Sequence, residues 1–216
     1  MSASGRRSSG ADETIAAAYD ARAAEYIEVA GALEQMDDRD LRTIAAWRDT
    51  TTGVLLDAGC GPGHWTEFLS RGGRDVCGVD LSSEFVASAR ATFPGVRFEV
   101  GSFRRLPSES GSVGGILSWY SLIHTPPDDV PDVLVEFARV LAPGGNLLLG
   151  FFDGEARARF AHDVVPAHYW STKALGGLLA DAGFEVTGVE HREREPGEVT
   201  ARPHAAIRAL LRRSTP

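Results

Sequence analysis

The chain has 216 residues, 43% of them hydrophobic, enough for one well-buried domain plus a small accessory element. A net charge of −8 and a pI near 5.3 argue against a nucleic-acid partner, whose phosphates demand a basic face. No run approaches the ~18 apolar residues of a membrane helix, the N-terminus lacks the apolar stretch of a signal peptide, and two cysteines make no metal framework, so the expectation is a cytoplasmic protein with reduced thiols and no membrane partner.

Residues 1–10, rich in Ser, Gly and Arg, predict a disordered tail. Ile15, Tyr19, Ala23, Tyr26 and Ile27 then recur at helical spacing, and Leu41, Ile44, Ala45 and Trp47 mark a second helix. Residues 11–48 therefore read as a helical cap leaning over the mouth of a sheet, and residues 49–216 as one α/β domain. In that domain the pattern predicts strands over 53–58, 75–79, 96–100, 113–120, 146–152, 184–194 and 202–212. Helices alternate with them: 64–71, a Ser82- or Ser83-capped stretch to Thr92, Asp128 to about Val140, and a Ser171-capped stretch to Ala182. Pro143-Gly144-Gly145 reads as a turn, and residues 153–169 as an insertion with mixed signals.

The most specific chemistry lies in Val54-Leu-Leu-Asp-Ala-Gly-Cys-Gly-Pro-Gly63. An apolar run ending in a carboxylate is a buried parallel strand that delivers Asp57 to its C-terminal edge. Gly59, Gly61 and Gly63 let the backbone turn tightly and approach a ligand. A second apolar run, Val76-Cys-Gly-Val-Asp80, puts another acid where an α/β sheet holds a ribose. In a dinucleotide site the third glycine would come one residue later, at the position of His64, and Asp57 would repel a pyrophosphate. It would attract an ammonium group. S-adenosylmethionine supplies an ammonium, a sulfonium and a ribose.

With these segments the chain resembles the class I, Rossmann-like S-adenosylmethionine-dependent methyltransferases, over roughly residues 50–190. Asp57-Ala-Gly-Cys-Gly-Pro-Gly63 matches the family's first motif and Gly78-Val-Asp80-Leu-Ser82 its second. Arg97-Phe-Glu-Val-Gly-Ser-Phe103 with Leu106-Pro107, Ile116 through His124, and Arg139 through Asn146 are similar to the next three. The resemblance implies a doubly wound seven-stranded sheet of order 3-2-1-4-5-7-6, with the last strand antiparallel. It places the cofactor, and its product S-adenosylhomocysteine, against Tyr19, Asp57, Gly59, Cys60, Gly61, Gly63, Asp80, Leu81, Ser102, Phe103 and Ser118. Asp80 would accept the ribose hydroxyls, Leu81 would lie on the adenine, and the Phe103 amide would reach the ring. Ser102 departs from the family, which usually has an aspartate there to accept from the adenine amino group.

His124 follows the fourth strand, in a loop that faces the ligand crevice of such a fold. It reads as a general base titrating near 6–7, as a wall that orients the substrate, or as a structural hydrogen-bonder. Tyr19 and Tyr26 share a helical face and either close over the cofactor or pack the cap. Tyr120, Tyr169 and Trp170, with Trp119 and His168, are aromatic groups able either to wall an apolar or flat aromatic substrate or to pack the core. Arg192, Arg194 and Arg202 read as a solvated edge of the last hairpin. The short cap favours a small-molecule acceptor at an O, N or C atom, and a monomer or homodimer. The competing class is a module that binds the cofactor without transferring methyl, since fold alone does not fix function.

Overall fold

The computed structural model describes residues 3–192 and 202–213, with side chains from Gly10 onward. Two helices come first, α1 (Ala3–Ala30) and α2 (Asp38–Thr50). The core then alternates β1 (Leu55–Ala58), α3 (His64–Ser70), β2 (Val76–Asp80), α4 (Ser83–Thr92), β3 (Arg97–Val100), β4 (Val113–Trp119), α5 (Val130–Val140) and β5 (Leu141–Phe152). A small hairpin, β6 (Arg159–Phe160) and β7 (Ala167–His168), precedes α6 (Thr172–Asp181), β8 (Phe184–Arg192) and β9 (His204–Leu211).

The seven-stranded sheet has the order β3-β2-β1-β4-β5-β9-β8, and β9 runs antiparallel to both neighbours. Once the β6–β7 hairpin is set apart, this is the order expected from the sequence. Continuous apolar strands make sense here because both faces are covered. Leu55, Leu117 and Leu148 face the layer of α2 and α3, whereas Leu56, Ile116, Leu147 and Leu149 face α5 and α6. Ser82 and Ser171 cap α4 and α6, their Oγ atoms accepting from Phe85 N at 3.1 Å and Ala174 N at 3.2 Å. Gly183 ends α6 in the left-handed region at φ +91°.

Three expectations change. The Pro143-Gly144-Gly145 turn is absorbed into β5, which pairs with β4 from Leu141 and resumes at Asn146 across a bulge. Of the two cap helices only α1 reaches the mouth; α2 buries Ile44 and Trp47 on a sheet face. Arg192 is not a solvated edge. It is buried, paired with Asp40 of α2 and, at 2.9 Å, with Glu190, while Thr43 Oγ1 donates to Glu190 at 2.8 Å. Arg194 lies outside the described residues, and the N-terminal tail is described only from Ala3, as backbone of α1.

Candidate active site

The glycine loop between β1 and α3 borders a cavity of about 280 Å³ at the C-terminal ends of the parallel strands. All three glycines have positive φ, but they serve different ends. A Cβ on Gly59 would overlap the side chain of Ser121, so this glycine lets β1 close onto the end of β4. A Cβ on Gly61 would meet nothing, and Gly61 lines the cavity: its bareness serves a ligand. Asp80 sits beside it, its two carboxylate oxygens accepting from Gly61 N and Ser82 N, each at 2.8 Å. Desolvation raises the Asp80 carboxyl above the usual carboxylate range. Each oxygen retains a lone pair for a ribose hydroxyl. The open approach at Gly61 and the aimed carboxylate at Asp80 fit a nucleoside cofactor.

Asp57 stands one layer back. It is 1% exposed, off the cavity wall, and accepts from Thr66 Oγ1 of α3 at 2.7 Å. Burial, with the charge of Asp80 nearby, pushes its pKa up to about 7. A cation bound beyond the loop would relieve that cost, but any contact with Asp57 must pass through the loop. Cys60 and Gly63 also lie behind the wall; both cysteines are buried free thiols.

Helix α1 roofs the cavity with Asp12, Ile15, Tyr19 and Tyr26. Polar contacts of Asp20, Asp12 and Tyr19 hold it there. Asp20 accepts from Ser82 Oγ at 2.5 Å and from Glu84 N at 3.2 Å, adding an acceptor at the α4 N-terminus. Ser102 Oγ donates to Asp12 at 2.6 Å, and Arg104 Nε donates to the other Asp12 oxygen at 2.8 Å. Tyr19 OH meets His124 Nε2 at 2.8 Å. His124 Nδ1 lies 3.2 Å from the Pro166 carbonyl, which can only accept, so Nδ1 carries the proton and Tyr19 donates to Nε2. Burial holds the His124 pKa down at about 4 and raises that of the Tyr19 hydroxyl. The pair is neutral. Of the three roles left open for His124, this arrangement is the one of an orienter or structural hydrogen-bonder rather than of a base titrating near 6–7.

The far half of the cavity is aromatic. Tyr120 packs against Trp119, Phe152 and His204, with ring centroids 5.4, 5.2 and 5.3 Å away, and His162 stands 4.9 Å from His124. Tyr120 is held at φ +54°, a strained conformation for a bulky residue, where its side chain enters the cavity.

The cavity thus brings together Tyr19, Tyr26, Gly59, Gly61, Asp80, Leu81, Phe103, Tyr120 and His124. It does not include Ser102, which touches it only through Asp12, or Ser118, whose hydroxyl bonds Ser121 Oγ at 2.6 Å. Nor does it include Tyr169, stacked on Phe160 at 4.3 Å, or Trp170, 2% exposed in the core. Residues not singled out from the sequence also line it: Asp12, Ser121, Phe152, His162 and His204. Only Ser121, three residues past Ser118 at a strand end, carried a local signal. Among the described residues no His, Cys, Asp or Glu group is arranged to hold a metal, and no helix is long and apolar enough to cross a membrane.

A cavity bordered by the glycine loop and a strand-end acid, at the carboxyl edge of a 3-2-1-4-5-7-6 sheet, points to a class. Residues 55–145 match the family model described as a methyltransferase domain. The chain is 30% identical over 144 residues to a malonyl-[acyl-carrier protein] O-methyltransferase of Erwinia billingiae, covering 67% of this chain and 55% of that protein. It spans about half the length of several curated relatives it matches. A Burkholderia thailandensis 1,6-didemethyltoxoflavin-N1-methyltransferase, solved with 1,6-didemethyltoxoflavin and S-adenosylhomocysteine, superposes with a TM-score of 0.72 at 21% identity, over 91% of this chain and 88% of that one. The [4+2]-cyclase SpnF superposes with a TM-score of 0.75 at 20% identity, over 93% and 96%. Residues 55–145 form a methyltransferase domain of the class I, S-adenosylmethionine-dependent kind.

Proposed function

We propose that this protein methylates a compact, flat, unsaturated small molecule at an O, N or C atom. One observation carries the reading: a single cavity runs from Asp80 and Gly61 to the aromatic walls of Tyr120, Phe152 and His204, with His124 and Tyr19 between. When bound, S-adenosylmethionine supplies a methyl group on a good neutral leaving group. Asp80 would bind the ribose, Leu81 and Phe103 would cover the purine, and Gly61 would admit the backbone-hugging end. The aromatic half would stack a planar acceptor and exclude water. The similar fold of the 1,6-didemethyltoxoflavin-N1-methyltransferase, solved with 1,6-didemethyltoxoflavin and S-adenosylhomocysteine bound, is in keeping with this.

His124 serves this chemistry best as an orienter. Its free lone pair is occupied by Tyr19, and an imidazole with a pKa of about 4 is a weak proton acceptor at neutral pH. Rate would come from alignment, which is worth up to ~7–11 kcal/mol in favourable systems. A second reading keeps the cofactor site but not methyl transfer, and the likeness to a cyclase favours it. Incubation with methyl-labelled cofactor and a panel of hydroxyarenes and N-heterocycles, read by mass spectrometry, separates the two. Labelled product supports methyl transfer. Cofactor binding without label on any acceptor in the panel supports the second.

A further inference from the structure

The parallel strands fix the direction in which a nucleoside must lie. The glycine loop follows β1, Asp80 ends β2, and Ser102-Phe103 follow β3, which is the next strand out. The family resemblance puts the adenine of a ribose held on Asp80 on the β3 side, where Leu81 and Phe103 line the cavity. The segment just after β3, Gly101-Ser102-Phe103, supplies no acid there, because position 102 is serine. An acid arrives from α1 instead. Asp12 lines the cavity and is fixed by Ser102 Oγ on one oxygen at 2.6 Å and by Arg104 Nε on the other at 2.8 Å.

We propose that Asp12, on the roof helix, recognises the exocyclic amino group of the cofactor's adenine. The inference rests on the cofactor reading of this cavity. Each Asp12 oxygen takes one protein donor and retains a lone pair, so the carboxylate is oriented and still able to accept. Charge agrees. Arg104 lies between two carboxylates, with Nη1 2.9 Å from Asp129, so the cluster carries one uncompensated negative charge. An amino group at the base edge satisfies it, whereas a carbonyl oxygen there would be repelled. Recognition of the base would then also fasten α1 over the cavity, coupling roof closure to the correct cofactor.

The test is calorimetric binding of S-adenosylhomocysteine and of its inosine counterpart, in which the amino group is replaced by a carbonyl oxygen. The parent should prefer the adenine form by roughly 10- to 100-fold, the span a charge-assisted hydrogen bond gives. Asp12→Asn should shrink that preference to below about 3-fold, since the amide can turn a donor toward the carbonyl. The ratio is taken within each variant, so a general loosening of α1 cancels. Ser102→Ala, which removes one of the two bonds orienting Asp12, should give an intermediate ratio and serves if Asp12→Asn fails to fold. Asp12→Asn combined with Ser102→Asp should restore the preference. An unchanged ratio in Asp12→Asn or Ser102→Ala overturns the inference and leaves Asp12 a latch for α1. A parent that binds neither ligand overturns the cofactor reading itself.

Discussion

Replacing His124 by Gln tests the neutral Tyr19–His124 pair through stability as well as rate. A glutamine can still accept from Tyr19 and donate to the Pro166 carbonyl, so near pH 8 the loss should be modest, about 1 kcal/mol. Acid changes the comparison. The folded imidazole resists protonation down to about 4, because burial and the neighbouring His162 disfavour its charge. The unfolded chain takes the proton near its ordinary value of 6.5. Stability held by the neutral form is therefore complete above pH 6.5 and is lost as pH falls toward 4. At pH 5 the proton linkage amounts to about 2 kcal/mol lost by the parent and not by the variant. Urea unfolding of both proteins from pH 8 to pH 5 should show the parent's advantage vanish or reverse. His64 and Asp57 titrate abnormally too, but in both proteins, so they cancel in the difference. A gap constant to within about 0.5 kcal/mol, near the precision of such extrapolations, would refute a buried neutral imidazole at this position.

Asp80→Ala should weaken S-adenosylhomocysteine binding by roughly 2–4 kcal/mol by calorimetry, through lost ribose hydroxyl bonds and a loop no longer held at Gly61. Gly59→Ala and Gly61→Val should part company. Both side chains are strained at positive φ, but the first also clashes with Ser121 and should lower unfolding free energy by about 2 kcal/mol or more, whereas the second meets no atom, should cost less, and should lose the ligand. Arg192→Leu strands half-buried Asp40 without its partner and should cost about 3 kcal/mol in denaturant unfolding, the low end for a buried pair, with binding little changed.

Local patterns in the chain were sufficient for the sheet. Leu55-Leu56 and Ile116-Leu117 are doubly buried because the strands carry helices on both faces, and such runs are visible without knowing what covers them. The loop glycines and Asp80 were equally legible, since backbone curvature and a strand-end acid are local demands. Other features were set by contacts far apart in the chain. Asp12 meets Ser102 and Arg104 about ninety residues on, and Tyr19 meets His124 across 105 positions. Arg192 reads as a surface residue until α2 brings Asp40 to it. The β6–β7 hairpin, two residues per strand, is too short for periodicity to declare itself.

The same distinction bears on how the site works. Helix α1 has no apolar stripe of the strength seen in α5, which buries Val130, Val133, Leu134, Phe137 and Val140 on one side. Of its described residues only Ala23 is fully buried, and what fastens it to the core is a set of side-chain bonds made at the cavity rim. A helix held that way is positioned in part by polar groups that a ligand would also touch, beside the aromatic packing of Tyr19 and Tyr26 on Phe85. Tyr19 is the sharpest case. Its ring packs on Phe85, Tyr26 and His124 while its hydroxyl takes the imidazole lone pair, so any acceptor that needs that lone pair must first displace the roof. For the proposed methyl transfer, the placement of Tyr19 favours alignment over proton removal as the contribution of this cavity.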